Sequence, residues 1–148
     1  EGGRRRRARH RRAGRVASAG DRVGVNRHVL TVDLRDDPAA VEAYMKHHRQ
    51  VWPEVLESLR RAGIRALDIY LLERRLVMVV ELEEGLDVTR AFASHMTAGP
   101  RVAEWERLMK SLQQPPPGAP TGEWWTVMQL VFHLDAQQTH GARALRSS

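Results

Sequence analysis

The chain has 148 residues, with 24 Lys+Arg, 18 Asp+Glu and no cysteine, for a formal net charge of +6. One domain fits that length with residues to spare for a tail, and most two-domain arrangements do not. The lack of Cys excludes disulfides, thiolate nucleophiles and Cys-type zinc sites, and no apolar run reaches the ~18–20 residues of a membrane span.

The charge is unevenly placed. Residues 1–24 carry nine Arg against Glu1 and Asp21, a balance of +7, whereas residues 25–148 carry 15 basic and 16 acidic side chains. The basic character therefore belongs to the leading segment, and the remainder is near neutral. That segment has almost no large apolar side chains, cannot offset its ordering entropy, and is expected to be disordered. Three readings of it stand side by side. A basic arm would bind nucleic acid by counterion release. An Arg-rich, acid-poor leader would address an organelle. Because the chain begins with Glu and the ordered pattern begins near Val25, the segment also reads as an upstream extension without function. A near-neutral domain argues against nucleic acid as the main partner.

In chain order, His28–Leu34 alternates and is β-branched, which predicts a strand. Asp36-Asp37-Pro38 is a helix start, with an acidic cap and Pro in the first turn. Residues 39–62 follow helical spacing, with Val41, Tyr44, Met45, His48, Trp52, Val55, Leu56 and Leu59 on one stripe. Pro53 interrupts it, because Pro lacks an N–H and crowds the carbonyl of Arg49, so a break is expected at residues 49–52. Gly63 suits the position just past the helix end. Ala66–Leu72 and Leu76–Leu82 predict a hairpin turning at Glu73-Arg74-Arg75. Residues 83–98 read as a loop with one or two helical turns. Pro100 to Leu112 predicts a second amphipathic helix carrying Val102, Trp105, Leu108, Met109 and Leu112 on its apolar side.

A Pro-rich loop follows at residues 113–120. Trp124–Leu134 predicts the last strand, with Trp124-Trp125 split between the two faces of the sheet. The order β-α-β-β-α-β defines an α+β, ferredoxin-like sandwich over residues 25–135, with a second disordered tail at 136–148. The open sheet face needs a cover, and a second copy of the chain is the expected one.

Phosphate loops, GxSxG and HExxH are absent from the sequence. His47 and His48 are adjacent, point about 100° apart on a helix, and cannot chelate one ion together. No metal and no cofactor are expected. His48 sits at the centre of the apolar stripe, between Tyr44 one turn before and Trp52 one turn after. Two readings fit that position: a core His satisfied by a hydrogen bond, or a general acid–base in a partly apolar pocket. Tyr44 is either a core Tyr or a ligand contact at the same pocket. Trp52 and Trp105 are either core or a platform for the C–H face of a sugar. Tyr70 lies on the strand face opposite Leu67, Ile69 and Leu71, and faces either the covered or the open side. His95, His133 and His140 carry no spacing signal and read as structural or solvent residues.

Tyr44-Met-Lys-His-His48-Arg-Gln-Val-Trp52-Pro53-Glu54 resembles the Y-x-x-x-H-x-x-x-W-P-E motif of the L-rhamnose mutarotase family. The likeness continues through Ala62-Gly63, Ile69-Tyr70-Leu71, Glu-Trp105-Glu-Arg-Leu-Met109 and Met128-Gln-Leu-Val-Phe132, spanning about residues 27–134 in the manner of a divergent branch. The resemblance implies a homodimeric ferredoxin-like α/β barrel, cytoplasmic, that interconverts the α and β anomers of a 6-deoxy-hexopyranose, L-rhamnose or L-fucose. It implies His48 as proton donor and Tyr44 and Trp105 as sugar contacts, with Tyr70 a further candidate. This chain has Glu106 where the family has a second Trp, and Leu67 where the family has a Tyr. Glu106, Asp68 or a bound water are candidates for the base. The rival reading is a non-catalytic or monooxygenase-type ligand-binding dimer on the same fold, which colour or oxygen uptake would reveal.

Overall fold

The computed structural model of the chain describes residues 26–134. The Arg-rich leading segment and the 136–148 tail lie outside the described residues. Nine elements follow in order: β1 (Asn26–Leu34), α1 (Pro38–Arg49), α2 (Pro53–Arg61), β2 (Ile64–Leu72), β3 (Arg75–Leu82), α3 (Val88–Met96), α4 (Pro100–Leu112), β4 (Gln113–Gln114) and β5 (Thr126–Val127). The sheet is antiparallel in the order β2-β3-β1-β4, with β5 also on β1. This is the βαββαβ arrangement expected from the sequence, with each helical crossover cut into two helices.

Period-two alternation turns Leu30, Val32 and Leu34 of β1 and Leu76, Met78, Val80 and Leu82 of β3 toward the helices, where all are buried. They divide into two clusters. One gathers Ile64, Val88 and Ala91; the other gathers Tyr44, Val55, Trp105 and Met109.

The break at Pro53 falls where its chemistry requires. Asp37 starts α1, its carboxylate accepting from the Ala39 N–H at 3.0 Å. Trp52 adopts the extended conformation that a residue before Pro prefers (φ −59°, ψ 138°), and Pro53 opens α2. Gly63 closes α2 at φ +89°, in the left-handed region open to Gly. The hairpin pairs Leu72 with Arg75, so its loop is Glu73-Arg74 and Arg75 already belongs to β3.

The expected loop at residues 113–120 begins instead with the short strand β4, Gln113–Gln114, paired with Leu34 and Asp33 of β1. Two further regions depart from the expectation. Residues 88–96 form a full helix, capped by the Asp87 carboxylate accepting from the Arg90 N–H at 2.9 Å. Its buried positions are Val88, Ala91 and His95, a small residue and an imidazole among them, so the apolar periodicity is faint. The last strand is the larger correction. Only Thr126–Val127 pairs with β1, and the Met128 N–H reaches the Val29 carbonyl at 2.7 Å before the segment leaves the sheet. Leu130, Val131, Phe132 and Leu134 are exposed. Their alternation signals a face that is covered, and nothing among the described residues covers it. Trp124 and Trp125 are not split between faces: both are half-buried and both pack on the core clusters.

Candidate active site

The C-terminal half of α1 sets Tyr44 and His48 one above the other by the i, i+4 rule, with ring centroids 4.1 Å apart and planes inclined by 26°. From α4, Trp105 meets the edge of His48 at 5.4 Å and Trp52 at 5.2 Å. Arg101, one turn before Trp105, lies over the Trp52 ring at 3.8 Å, a cation–π contact that holds the chain in place across the break. Tyr44, His48 and Trp105 border a cleft of about 1200 Å³ between α1, α2, α3, α4, β2 and the 120–127 segment, with Trp52 behind Trp105. The structure therefore brings Tyr44, His48 and Trp105 together. Tyr70 lies at the exposed end of the cleft, 61% accessible. Leu67, also on β2, packs against the core.

The protons on His48 follow from its neighbour. Nδ1 lies 2.9 Å from the Tyr44 carbonyl oxygen, which only accepts, so Nδ1 carries the hydrogen and donates it. Nε2 is then the nitrogen able to exchange a proton with a ligand. Burial pushes the His48 pKa below its ordinary value; the hydrogen bond to the Tyr44 carbonyl opposes this and the charge of His47 adds to it. A proton on Nε2 is accordingly given up readily. Burial pushes the Tyr44 phenol above its usual range, against a hydrogen bond with the Gln113 side chain, with the charge of Glu106 adding a further push. Tyr44 thus stays protonated and serves as a hydrogen-bonding group, not as a base. Both Tyr44 and Trp105 are 4% exposed, so each offers a ligand little more than an edge.

Four polar residues that the spacing of the sequence did not join come together here: His95, Glu106 and Gln113 line the same cleft, and Ser58 stands behind His95. Ser58 of α2 and His95 of α3 are buried, with Ser58 Oγ 2.8 Å from His95 Nδ1. Glu106 of α4 places Oε1 3.4 Å from His95 Nε2. Gln113, buried at the end of α4, is the partner of Tyr44. No sequence signal marked Ser58 or Gln113, because each depends on which helices pack together. Among the described residues no group of three or more His, Asp or Glu is gathered around a possible metal position. No helix among them is long and apolar enough to cross a membrane.

The topology defines an α+β domain of the ferredoxin-like class, with the His48 imidazole at the edge of an aromatic-lined cavity. Comparison with known proteins names the family. The chain belongs to the L-rhamnose mutarotase family, whose profile matches residues 27–134, and with it to the carbohydrate isomerases. It is 38% identical over 114 residues to an L-fucose mutarotase of Xanthomonas campestris pv. campestris, covering 76% of this chain and 90% of the relative. It is 30% identical over 105 residues to an L-rhamnose mutarotase of Acidiphilium cryptum, covering 66% and 89%. The crystal structure of an L-rhamnose mutarotase from Formosa agariphila superposes with a TM-score of 0.52 at 20% identity, covering 73% of this chain and 97% of that one, a likeness of fold.

Proposed function

We propose that the chain interconverts the α and β anomers of a 6-deoxy-hexopyranose, L-rhamnose or L-fucose, with His48 as the proton donor. The observation that carries this reading is the committed Nδ1 of His48, which leaves Nε2 as the transferable site beside Tyr44 and Trp105. The Xanthomonas and Acidiphilium relatives, named for these two sugars, support the substrate class.

Anomerisation needs an acid at the ring oxygen and a base at the anomeric hydroxyl. His48, protonated on Nε2, gives that proton to O5 as the C1–O5 bond breaks. The O1–H proton leaves to the base and C1=O1 forms. The aldehyde turns about C1–C2 and the ring closes on the other face by the reverse transfers. The free sugar already mutarotates in water, so an acid–base contribution of about 10²–10⁴-fold suffices. The Trp105 edge and the Tyr44 hydroxyl orient the ring, with Tyr70 at the outer end of the cleft. The chain acts as a homodimer, in which the exposed Leu130, Phe132 and Leu134 find their cover on the second copy.

Polarimetry tests the reading. Freshly dissolved crystalline α-L-rhamnose and α-L-fucose should approach their equilibrium rotation faster with the protein than without it. An unchanged rate for both sugars would refute the proposal.

A further inference from the structure

The geometry points to Glu106 as the general base of the ring opening, held in position by the buried pair Ser58–His95. This rests on the mutarotase reading and supplies the group that reading leaves unnamed. Three carboxylates border the cleft: Asp68, Glu106 and Glu123. Asp68 and Glu123 are exposed, and only Glu106 is half-buried. On α4 it directly follows Trp105, whose ring meets His48 at 5.4 Å, and both Glu106 and His48 line the cleft.

Behind Glu106 lies a unit built from three helices. Glu106 Oε1 only accepts, so the His95 Nε2 that faces it carries the hydrogen. His95 Nδ1 then accepts the Ser58 hydroxyl at 2.8 Å, with the His95 carbonyl oxygen a second, longer acceptor at 3.3 Å. Both contacts hold the imidazole, 3% exposed, in one orientation and turn Nε2 toward Glu106 Oε1 at 3.4 Å. A core filled for stability alone would put apolar side chains at the junction of α2, α3 and α4. Here a polar chain runs through that junction and ends on a carboxylate that lines the cleft, its side chain 28% accessible. Oε1 is the oxygen that faces the imidazole.

The proton count closes with these two groups. Glu106 takes the O1–H proton as C1=O1 forms. The C1–O5 electron pair passes to O5, which takes the proton from His48 Nε2. On closure Glu106 returns its proton to O1, and O5 returns its proton to His48. Neither redox partner nor metal enters the balance. Glu106 is catalytic in this scheme, while Ser58 and His95 are positioning residues.

Steady-state exchange rates for L-fucose and L-rhamnose, measured by anomeric proton NMR on the full chain, test this. Glu106→Gln should lower kcat by about 10²-fold or more with KM changed only a few-fold. Ser58→Ala should lower kcat several-fold at unchanged KM. Glu57→Gln, on the exposed side of α2, should match the parent. Added formate should restore rate to Glu106→Ala in proportion to its concentration, a gain no structural defect would show. Parent-like kcat in Glu106→Gln, alongside an inactive His48→Ala, would overturn the assignment and leave mutarotation standing. Absence of formate rescue would also count against Glu106 as the base. Parent-like kcat in Ser58→Ala would overturn the positioning role. No acceleration by the parent chain for either sugar would overturn both readings.

Discussion

Burial has two consequences at His48. It lowers the pKa below the ordinary 6.5, and it makes the neutral ring the form that folding favours. The unfolded chain then binds this proton more readily than the folded one. Stability from this site is full above pH 6.5 and is lost as pH falls through the lowered value. Proton donation runs the other way: the protonated fraction shrinks as pH rises through that same value. The alkaline limb of kcat/KM is therefore expected to be centred below 6.5, and a rate flat through neutrality and beyond would contradict His48 as donor. A separate expectation concerns Ser58. Removing its hydroxyl leaves a buried His95 nitrogen without its partner, so Ser58→Ala should cost about 1–3 kcal/mol in denaturant unfolding. The i, i+4 spacing of Tyr44, His48 and Trp52 was legible in the sequence because one helix carries the first two and Pro53 marks its end. The Ser58–His95–Glu106 contact was not legible, because its members lie on three helices and no periodicity links them.

At the scale of elements, local chemistry was legible wherever a residue has only one comfortable conformation. Asp37-Pro38, Trp52-Pro53 and Gly63 each set a helix boundary that the structure keeps. Gly63 is the most exacting of these. A side chain there would meet the left-handed φ of +89°, and its Cβ would collide with Leu86 Cδ1. Gly63→Ala should therefore destabilise the fold by at least about 1 kcal/mol, read as a lowered thermal midpoint. An unchanged midpoint would mean that the α2–β2 corner relaxes freely. Helix α3 was hidden for the opposite reason: its inner face is built from Val88, Ala91 and His95, which contrast little with its outer face.

At the scale of the molecule, residues 124–134 carry the alternation of a covered strand while all but their first members leave the sheet. On the homodimer proposal, that pattern belongs to the assembly and not to one chain alone. Sedimentation should then give a dimer for the full chain. A chain ending at Met128 should shift toward monomer at the same concentration. A full-length monomer would refute that part of the account and leave the exposed Leu130, Phe132 and Leu134 without a cover.

Anomer exchange through His48 can be read by saturation-transfer proton NMR at the anomeric signals of L-fucose and L-rhamnose. Saturation of one anomer should pass to the other faster with the parent chain than in buffer. The gain should disappear in a folded His48→Ala. Equal transfer by parent and variant, or none by the parent, would contradict it.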